Sequence, residues 1–259
     1  MSLPRFFLHN QVLAEETDEV FGLRLDEGDA KHARVLRIKP GEHIAVIDCV
    51  KDYFECEVVS FDDTMKVRIT RHEDAGLERP TVMLFQGLCK GDKMDMIIRH
   101  ATELGVSAFV PLACERSVVR LDAKKAASRV ARWNSVAKSA AMQSGQPQIP
   151  EVSLPVSPAQ ASEMLSGATC VVVCWEEERS TSLKQAIGEA LELTLTPALD
   201  ARVAICIGPE GGFSQREVQT LMSANPMSYS VTLGPSILRT ETAGIVAPAL
   251  ALYELGGLQ

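Results

Sequence analysis

No apolar run in the chain approaches the ~20 residues that a bilayer-spanning helix needs; stretches such as Val171 to Val173 and Ala247 to Leu252 stop far short. The start, MSLPRFFLHNQ, lacks a basic stretch followed by a long apolar run and a small-residue cleavage site, so a cytoplasmic location is expected. The seven cysteines (Cys49, Cys56, Cys89, Cys114, Cys170, Cys174 and Cys206) are odd in number and contain no C-x-x-C pair, which argues against a complete disulfide framework and a zinc ribbon. They read as reduced, mostly buried thiols. His9, His32, His43, His72 and His100 show neither i, i+4 nor mixed Cys/His ligand spacing, and no metal is assigned. Positive charge is scarce overall. A formal net charge of −8 does not suit a protein that coats nucleic acid by electrostatics alone. There is no solenoid-length repeat and no low-complexity tract.

What is present is the balance of a soluble globular protein: 259 residues, 46% hydrophobic and 23% charged, enough for one or two domains. The charge is unevenly spread. Between Lys90 and Lys138 ten Lys and Arg face five acids, a local +5, so everything else sums to −13. Such an island suits a localised anionic partner and equally a solvated helix face.

Residues 1 to 72 carry strand-like segments at Phe6 to Leu8, Glu42 to Asp48, Tyr53 to Ser60 and Lys66 to Thr70, with a short helix over Asp29 to Ile38 whose face would be Ala30, Ala33 and Leu36 and whose end would be Pro40-Gly41. This reads as a small mixed barrel. Residues 73 to 80, polar and containing Gly76 and Pro80, read as a linker, and 81 to 259 as a second domain. There strands and helices alternate: a strand from Thr81, a helix from an Asp92 N-cap to a Gly105 stop, a strand at Val106 to Pro111, and a long helix after Asp122 with Ala126, Val130, Trp133, Ala137 and Ala140 on its buried stripe. After an irregular, proline-rich Gln146 to Pro158 come strand Thr169 to Cys174, helix Leu183 to Leu193, strand Arg202 to Ile207, a helix opened by the capping box Ser214 to Glu217, strand Tyr229 to Leu233 and a last helix near Glu241. Alternation of this kind implies parallel βαβ units in an α/β fold.

Two loops lie between a predicted strand and a predicted helix: IGPEGGFS, 207 to 214, and LGPSILRTETA, 233 to 243. Ligands of open α/β sheets bind at such strand ends, and glycines let main chain approach them. Neither loop is G-x-G-x-x-G or G-x-x-x-x-G-K-[ST], so neither known nucleotide fingerprint is present. On spacing alone each loop reads equally as a tight turn before a capped helix.

The combination of motifs is more specific. Arg5-Phe6-Phe7, His32 with Val35-Leu36-Arg37, Lys90, Thr102-Glu103-Leu104-Gly105-Val106, Glu115-Arg116-Ser117, Gln143-Ser144, and GPEGGFS with Glu217 followed by ILRTETA together resemble the RsmE family of ribosomal RNA small subunit methyltransferases, of the SPOUT class. The resemblance extends over nearly the whole chain. It implies a PUA-like β-barrel that assists RNA binding, then a mainly parallel sheet with helices on both faces and a C-terminal trefoil knot, working as a homodimer. It implies transfer of a methyl group from S-adenosyl-L-methionine to N3 of a uridine in 16S rRNA of the small ribosomal subunit.

By the same resemblance, Cys174-Trp175-Glu176, the run Ile207, Gly208, Pro209, Glu210, Gly211 and Gly212, and Leu233-Gly234 with Ile237-Leu238 surround the cofactor. The backbone at Gly234 and Leu238 would read the adenine edge, and Ile207, Leu233 and Ile237 would enclose its ring. A uridine N3 is a poor nucleophile until its proton leaves. Arg239, which cannot easily act as a base, suits stabilisation of the resulting imide anion, with Glu210 or Glu241 as candidate proton acceptors. RNA phosphates would be met by Lys90, Arg116, Arg120, Arg129 and Arg132 in the second domain and by Arg5 and Arg37 in the first. The chain departs from the family pattern at Met142 and Gln146, where a glutamate and an arginine are usual, and at Ser236, also usually arginine. These changes suggest altered RNA contacts. They also keep open a non-catalytic RNA-binding or ribosome-assembly protein; a related knotted transfer-RNA methyltransferase is the other alternative.

Overall fold

The computed structural model describes residues 3–73 and 79–258. It divides into two compact units: residues 1–77 with 141–148, and residues 78–140 with 149–259. The division is discontinuous in sequence, unlike the contiguous 1–72 and 81–259 expected. Of the expected linker, residues 74–78 lie outside the described residues, and Glu73 is the last residue of a strand.

In the first unit, strands β1 (Arg5–Phe7), β2 (Phe21–Gly22), β3 (His43–Ile47), β4 (Tyr53–Phe61) and β5 (Met65–Glu73) form one sheet in the order β1-β3-β4-β5-β2. β1 runs parallel to β3 and the other pairs are antiparallel. Alternation of buried Phe54, Cys56 and Val58 with more open neighbours along β4 turns one face to a core shared with Phe6, Ile44, Val46, Met65 and Val67. Asp48, buried at the end of β3, accepts the Val50 and Asp52 N–H on Oδ1 and the Leu13 N–H on Oδ2, fixing the β3–β4 turn and a second chain segment at once. Helix α1 (Glu27–Leu36) is capped by Asp26, whose side chain accepts the Asp29 N–H at 2.7 Å. It ends at Arg37 in the left-handed conformation, before Pro40-Gly41, and only Ala33 of the three expected core positions is fully buried; Leu36 is exposed.

Residues 141–148 complete this unit. Met142 packs against its apolar core, and the Arg5 guanidinium donates to the carbonyls of Gly145 and, at 2.8 Å, Gln146 while lying 5.4 Å from the Tyr53 ring centre. The two family departures therefore sit in a segment tied to the first unit, with Met142 as a core residue and Gln146 held by its main chain.

The second unit is a six-stranded sheet of β6 (Thr81–Gly87), β7 (Ala108–Leu112), β8 (Glu151–Val152), β9 (Cys170–Cys174), β10 (Arg202–Ile207) and β11 (Ser228–Val231), ordered β11-β9-β10-β6-β7-β8 with every pair parallel. Its central strands are apolar on both faces because both are covered. One face, with Val82, Leu84, Val172, Val203 and Ile205, packs on α2 (Lys93–Leu104), α3 (Ala123–Ser144), α5 (Leu183–Thr194) and α7 (Thr240–Glu254). The other, with Phe85, Val171, Val173, Ala204 and Cys206, packs on α4 (Pro158–Leu165) and α6 (Gln215–Met222). The short strand β8 falls within the stretch expected to be irregular, and helix α4 begins at its end, over residues given no element from sequence; Ser157 and Gln160 form its capping box. Asp92 makes no side-chain cap at α2, whereas Gly105 ends that helix at φ 105°. Among the described residues no helix is long and apolar enough to cross a membrane.

Candidate functional site

Register brings the site together. Ile207 is paired with Cys174, and Cys174 with Val231, so β9, β10 and β11 end level with one another. Three loops far apart in sequence therefore leave the sheet at the same edge, the edge at which parallel sheets bind ligands. They enclose a cavity of about 590 Å³, within the range of small-molecule sites. Every expected cofactor residue lines it: Cys174, Trp175 and Glu176 after β9, Ile207 to Gly212 after β10, and Leu233, Gly234, Ile237 and Leu238 after β11, with Arg239 at the start of α7.

The loop after β10 is compact. A Cβ on Gly208 would lie 2.9 Å from the Gly212 carbonyl carbon and the Phe213 nitrogen, and Gly212, at φ 69°, would place a Cβ 2.4 Å from Glu176 Oε1. At Gly208 the obstacle is backbone, so any side chain must displace the loop, whereas at Gly212 the left-handed backbone favours glycine and Glu176 would have to move. The loop leads into α6 through the Ser214 to Glu217 capping box, and Glu217 Oε1 also accepts the Glu115 N–H at 2.7 Å. The loop after β9 is folded on Glu178, which accepts Ser180 Oγ, the Ser180 and Thr181 N–H groups and Ser230 Oγ. The Ser180 and Ser230 hydroxyls chiefly, with the Ser180 N–H, hold its carboxyl down at about 2.

Beneath the cavity runs a polar chain. Buried Gln86 donates from Nε2 to Thr240 Oγ1 at 2.9 Å, and Thr240 Oγ1 donates to the Gly208 carbonyl. Lys93, at the start of α2, places Nζ 3.3 Å from Glu210 Oε1 and 2.9 Å from Glu241 Oε2. Burial would raise both carboxyls, but each is held below the usual range: Glu210 by the Lys90 N–H, its own N–H and the Lys93 ammonium, Glu241 by its own N–H, Lys93 and the Arg239 charge. Both are anions at neutral pH and weak bases. Burial pushes the Cys174 thiol up to about 12, so it is not a thiolate and supplies no nucleophile.

The expected RNA contacts fare differently. Arg120 donates to the Cys114 and Glu115 carbonyls, and Arg116 to the Gly211 carbonyl at 3.2 Å, bracing the glycine loop from outside. Arg132 pairs with Asp95 and Asp92, and Arg5 is engaged inside the first unit. Lys90 and Arg37 have exposed side chains, and Arg129 is half-buried on α3. Much of the positive island is thus neutralised or committed to main chain. Lys93, Arg179, Thr232 and Thr240 also line the cavity and were not singled out from sequence, and Ser236, noted as a departure from the family pattern, lines it too. A β-strand end followed by Thr-Glu at a helix start was the available signal for Thr240; Lys93 carried none. Among the described residues no group of three His, Cys, Asp or Glu is placed to hold a metal ion.

The RNA methyltransferase domain family matches residues 77–252, and the RNA methyltransferase PUA domain family residues 25–68. A Bacillus subtilis protein named ribosomal RNA small subunit methyltransferase E is 32% identical over 257 residues, covering 97% of each chain. The crystal structure of a ribosomal RNA small subunit methyltransferase E from Neisseria gonorrhoeae, bound to S-adenosyl methionine, superimposes with a TM-score of 0.76 at 28% identity over 96% of each chain. A putative methyltransferase from Legionella pneumophila in complex with the same cofactor gives 0.79 at 26% identity over 98% of each chain.

Proposed function

The chain belongs to the RNA methyltransferase family that includes the proteins named ribosomal RNA small subunit methyltransferase E, and from that premise we propose that it methylates N3 of a uridine in 16S rRNA, using S-adenosyl-L-methionine. The observation that carries this reading is the level ending of β9, β10 and β11, which gathers three loops into one cavity. Main-chain donors and acceptors suit an adenine edge, and the apolar side chains of Ile207, Leu233 and Ile237 suit its ring. Ile237 is 80% exposed at the cavity mouth, so its burial on binding would contribute roughly 1.5–3 kcal/mol if complete.

The cofactor's sulfonium supplies an electrophilic methyl. The work left to the protein is to exclude water, aim the uridine N3 in line with that methyl, and accept or neutralise what the imide proton leaves behind. Arg239, exposed at the rim with no helix-capping bond of its own, is the group suited to stabilise the imide anion through O2 or O4. Glu210 and Glu241 are already ionised and so are available to take a proton, but their lowered basicity makes anion stabilisation by Arg239 the more important contribution. The substrate in this reading is rRNA within the small subunit, the enzyme a cytoplasmic homodimer, and the first unit an RNA-positioning module with exposed Arg37 among its contacts.

Mass mapping of 16S rRNA tests the reading. In cells lacking the gene, one methyl on one uridine is expected to disappear and to return with the intact gene but not with Arg239→Ala. An unchanged methylation map would contradict it.

A further inference from the structure

We infer that Lys93 is a positioning residue that holds the two glycine-bearing loops closed over the cavity by bridging Glu210 and Glu241; the consequence for cofactor binding rests on the function proposed above, whereas the bridge itself does not.

Lys93 is the first residue of α2, the end of a helix at which the macrodipole disfavours a cation. Two carboxylates offset that disadvantage. Glu210 comes from the loop after β10 and Glu241 from the first turn of α7, the helix that follows the second loop. Glu210 Oε1 also accepts the Lys90 N–H at 3.0 Å, so the connection between β6 and α2 grips the first loop twice. The remaining charged side chains on the cavity wall are Arg239, which adds to the positive field on Glu241, and Glu176 with Arg179 on the loop after β9, where Arg179 donates to the Glu176 and Glu178 carbonyls.

An isolated, fully exposed ion pair would matter little. Here one ammonium serves two carboxylates from different loops, with side chains only 29%, 25% and 14% exposed for Lys93, Glu210 and Glu241. Without it, two anions that shared a counter-ion face each other, and either the loops separate or one carboxyl takes up a proton.

Loop closure and simple charge make opposite predictions. S-adenosylmethionine carries a net positive charge, so deleting a cavity cation would by charge alone strengthen its binding and leave neutral S-adenosylhomocysteine unaffected. Loss of closure would weaken both. The full-length protein and its Lys93→Met and Lys93→Arg variants should be titrated with each ligand by calorimetry, and amide exchange of residues 208–213 and 233–239 followed without ligand. Lys93→Met is expected to weaken both ligands about tenfold, equivalent to about 1.4 kcal/mol, and to speed exchange in both loops at an unchanged melting temperature. Lys93→Arg should restore most of the affinity. A folded Lys93→Met protein with unchanged loop exchange, or with S-adenosylmethionine binding strengthened and S-adenosylhomocysteine binding unchanged, would overturn the inference. If the unsubstituted protein binds neither ligand, the proposed function fails, while loop exchange still decides the role of Lys93.

Discussion

Thr240 Oγ1 lies 2.6 Å from the carbonyl oxygen of Gly208, a hydrogen bond that joins the first turn of α7 to the glycine loop 32 residues earlier. Because Gln86 donates to the same hydroxyl from below, the two loops share one buried anchor. Removing the hydroxyl takes away the donor to the Gly208 carbonyl and leaves Gln86 Nε2 only its bonds to the Gly87 carbonyl and Cys89 Sγ, at a cost of about 1–3 kcal/mol for a polar group left unsatisfied. Thr240→Val should therefore lower adenosylmethionine affinity by about tenfold, while Thr240→Ser keeps it. Calorimetry checks this, and equal affinities for all three proteins would contradict it.

Gly212 faces both a backbone and a side-chain constraint. A residue with a Cβ at its φ of 69° costs roughly 1–2 kcal/mol, and the Cβ would also meet Glu176 Oε1. Gly212→Ala should weaken cofactor binding and lower the melting temperature by a few degrees, and adding Glu176→Ala should recover only the part due to the clash. Full recovery in the double variant would show that the backbone carries no strain.

Arg5 serves as a hook inside the first unit. Arg5→Ala releases the Gly145 and Gln146 carbonyls and the 141–148 segment, and should cost about 1–3 kcal/mol in denaturant unfolding without altering the salt dependence of RNA binding. Exposed Lys90 and Arg37 should behave in the opposite way: alanine at either position leaves stability unchanged and lowers the salt slope by about one for each RNA phosphate left without its cation. A reduced salt slope for Arg5→Ala with unchanged stability would reverse this assignment.

Acid should loosen the loop after β9 through Glu178. Its carboxyl falls from an ordinary 4.5 to about 2 in the folded chain, so its stabilisation is complete above pH 4.5 and is lost as pH drops through about 2. Thermal unfolding followed between those limits should show a decline that Glu178→Gln lacks, the variant being less stable than the parent at neutral pH. Parallel curves for the two proteins would remove Glu178 as the cause.

Most strands of both units and the helices bearing an apolar stripe were readable in sequence because alternation and helical spacing are local properties; the two-residue strands β2 and β8 were not, being too short to show a period. The Ser214 to Glu217 cap, which the structure reproduces, was readable too. Helix α4 carried the same signal, Ser157 and Gln160 around Pro158, but the surrounding prolines read as irregular chain. Asp92 has the right residue type for a cap but sits at φ −96° and ψ 12°, away from the extended backbone seen at the capping residues Ser157, Ser182 and Ser214. The two loops were recognisable by motif, whereas Lys93 was not, because its partners are set by strand order and register. The packing of Met142 on the first unit's apolar core and the bond from Arg5 to the Gln146 carbonyl were not legible for a similar reason: each joins residues far apart in sequence.

Calorimetric titration of the full-length protein with S-adenosylmethionine tests the central claim most directly. The account predicts saturable binding at one site per chain, abolished or strongly weakened by Gly208→Val, whose side chain would displace the loop backbone at Gly212 and Phe213, while the protein stays folded. Absence of binding by the folded parent protein, or binding indifferent to Gly208→Val, would contradict it.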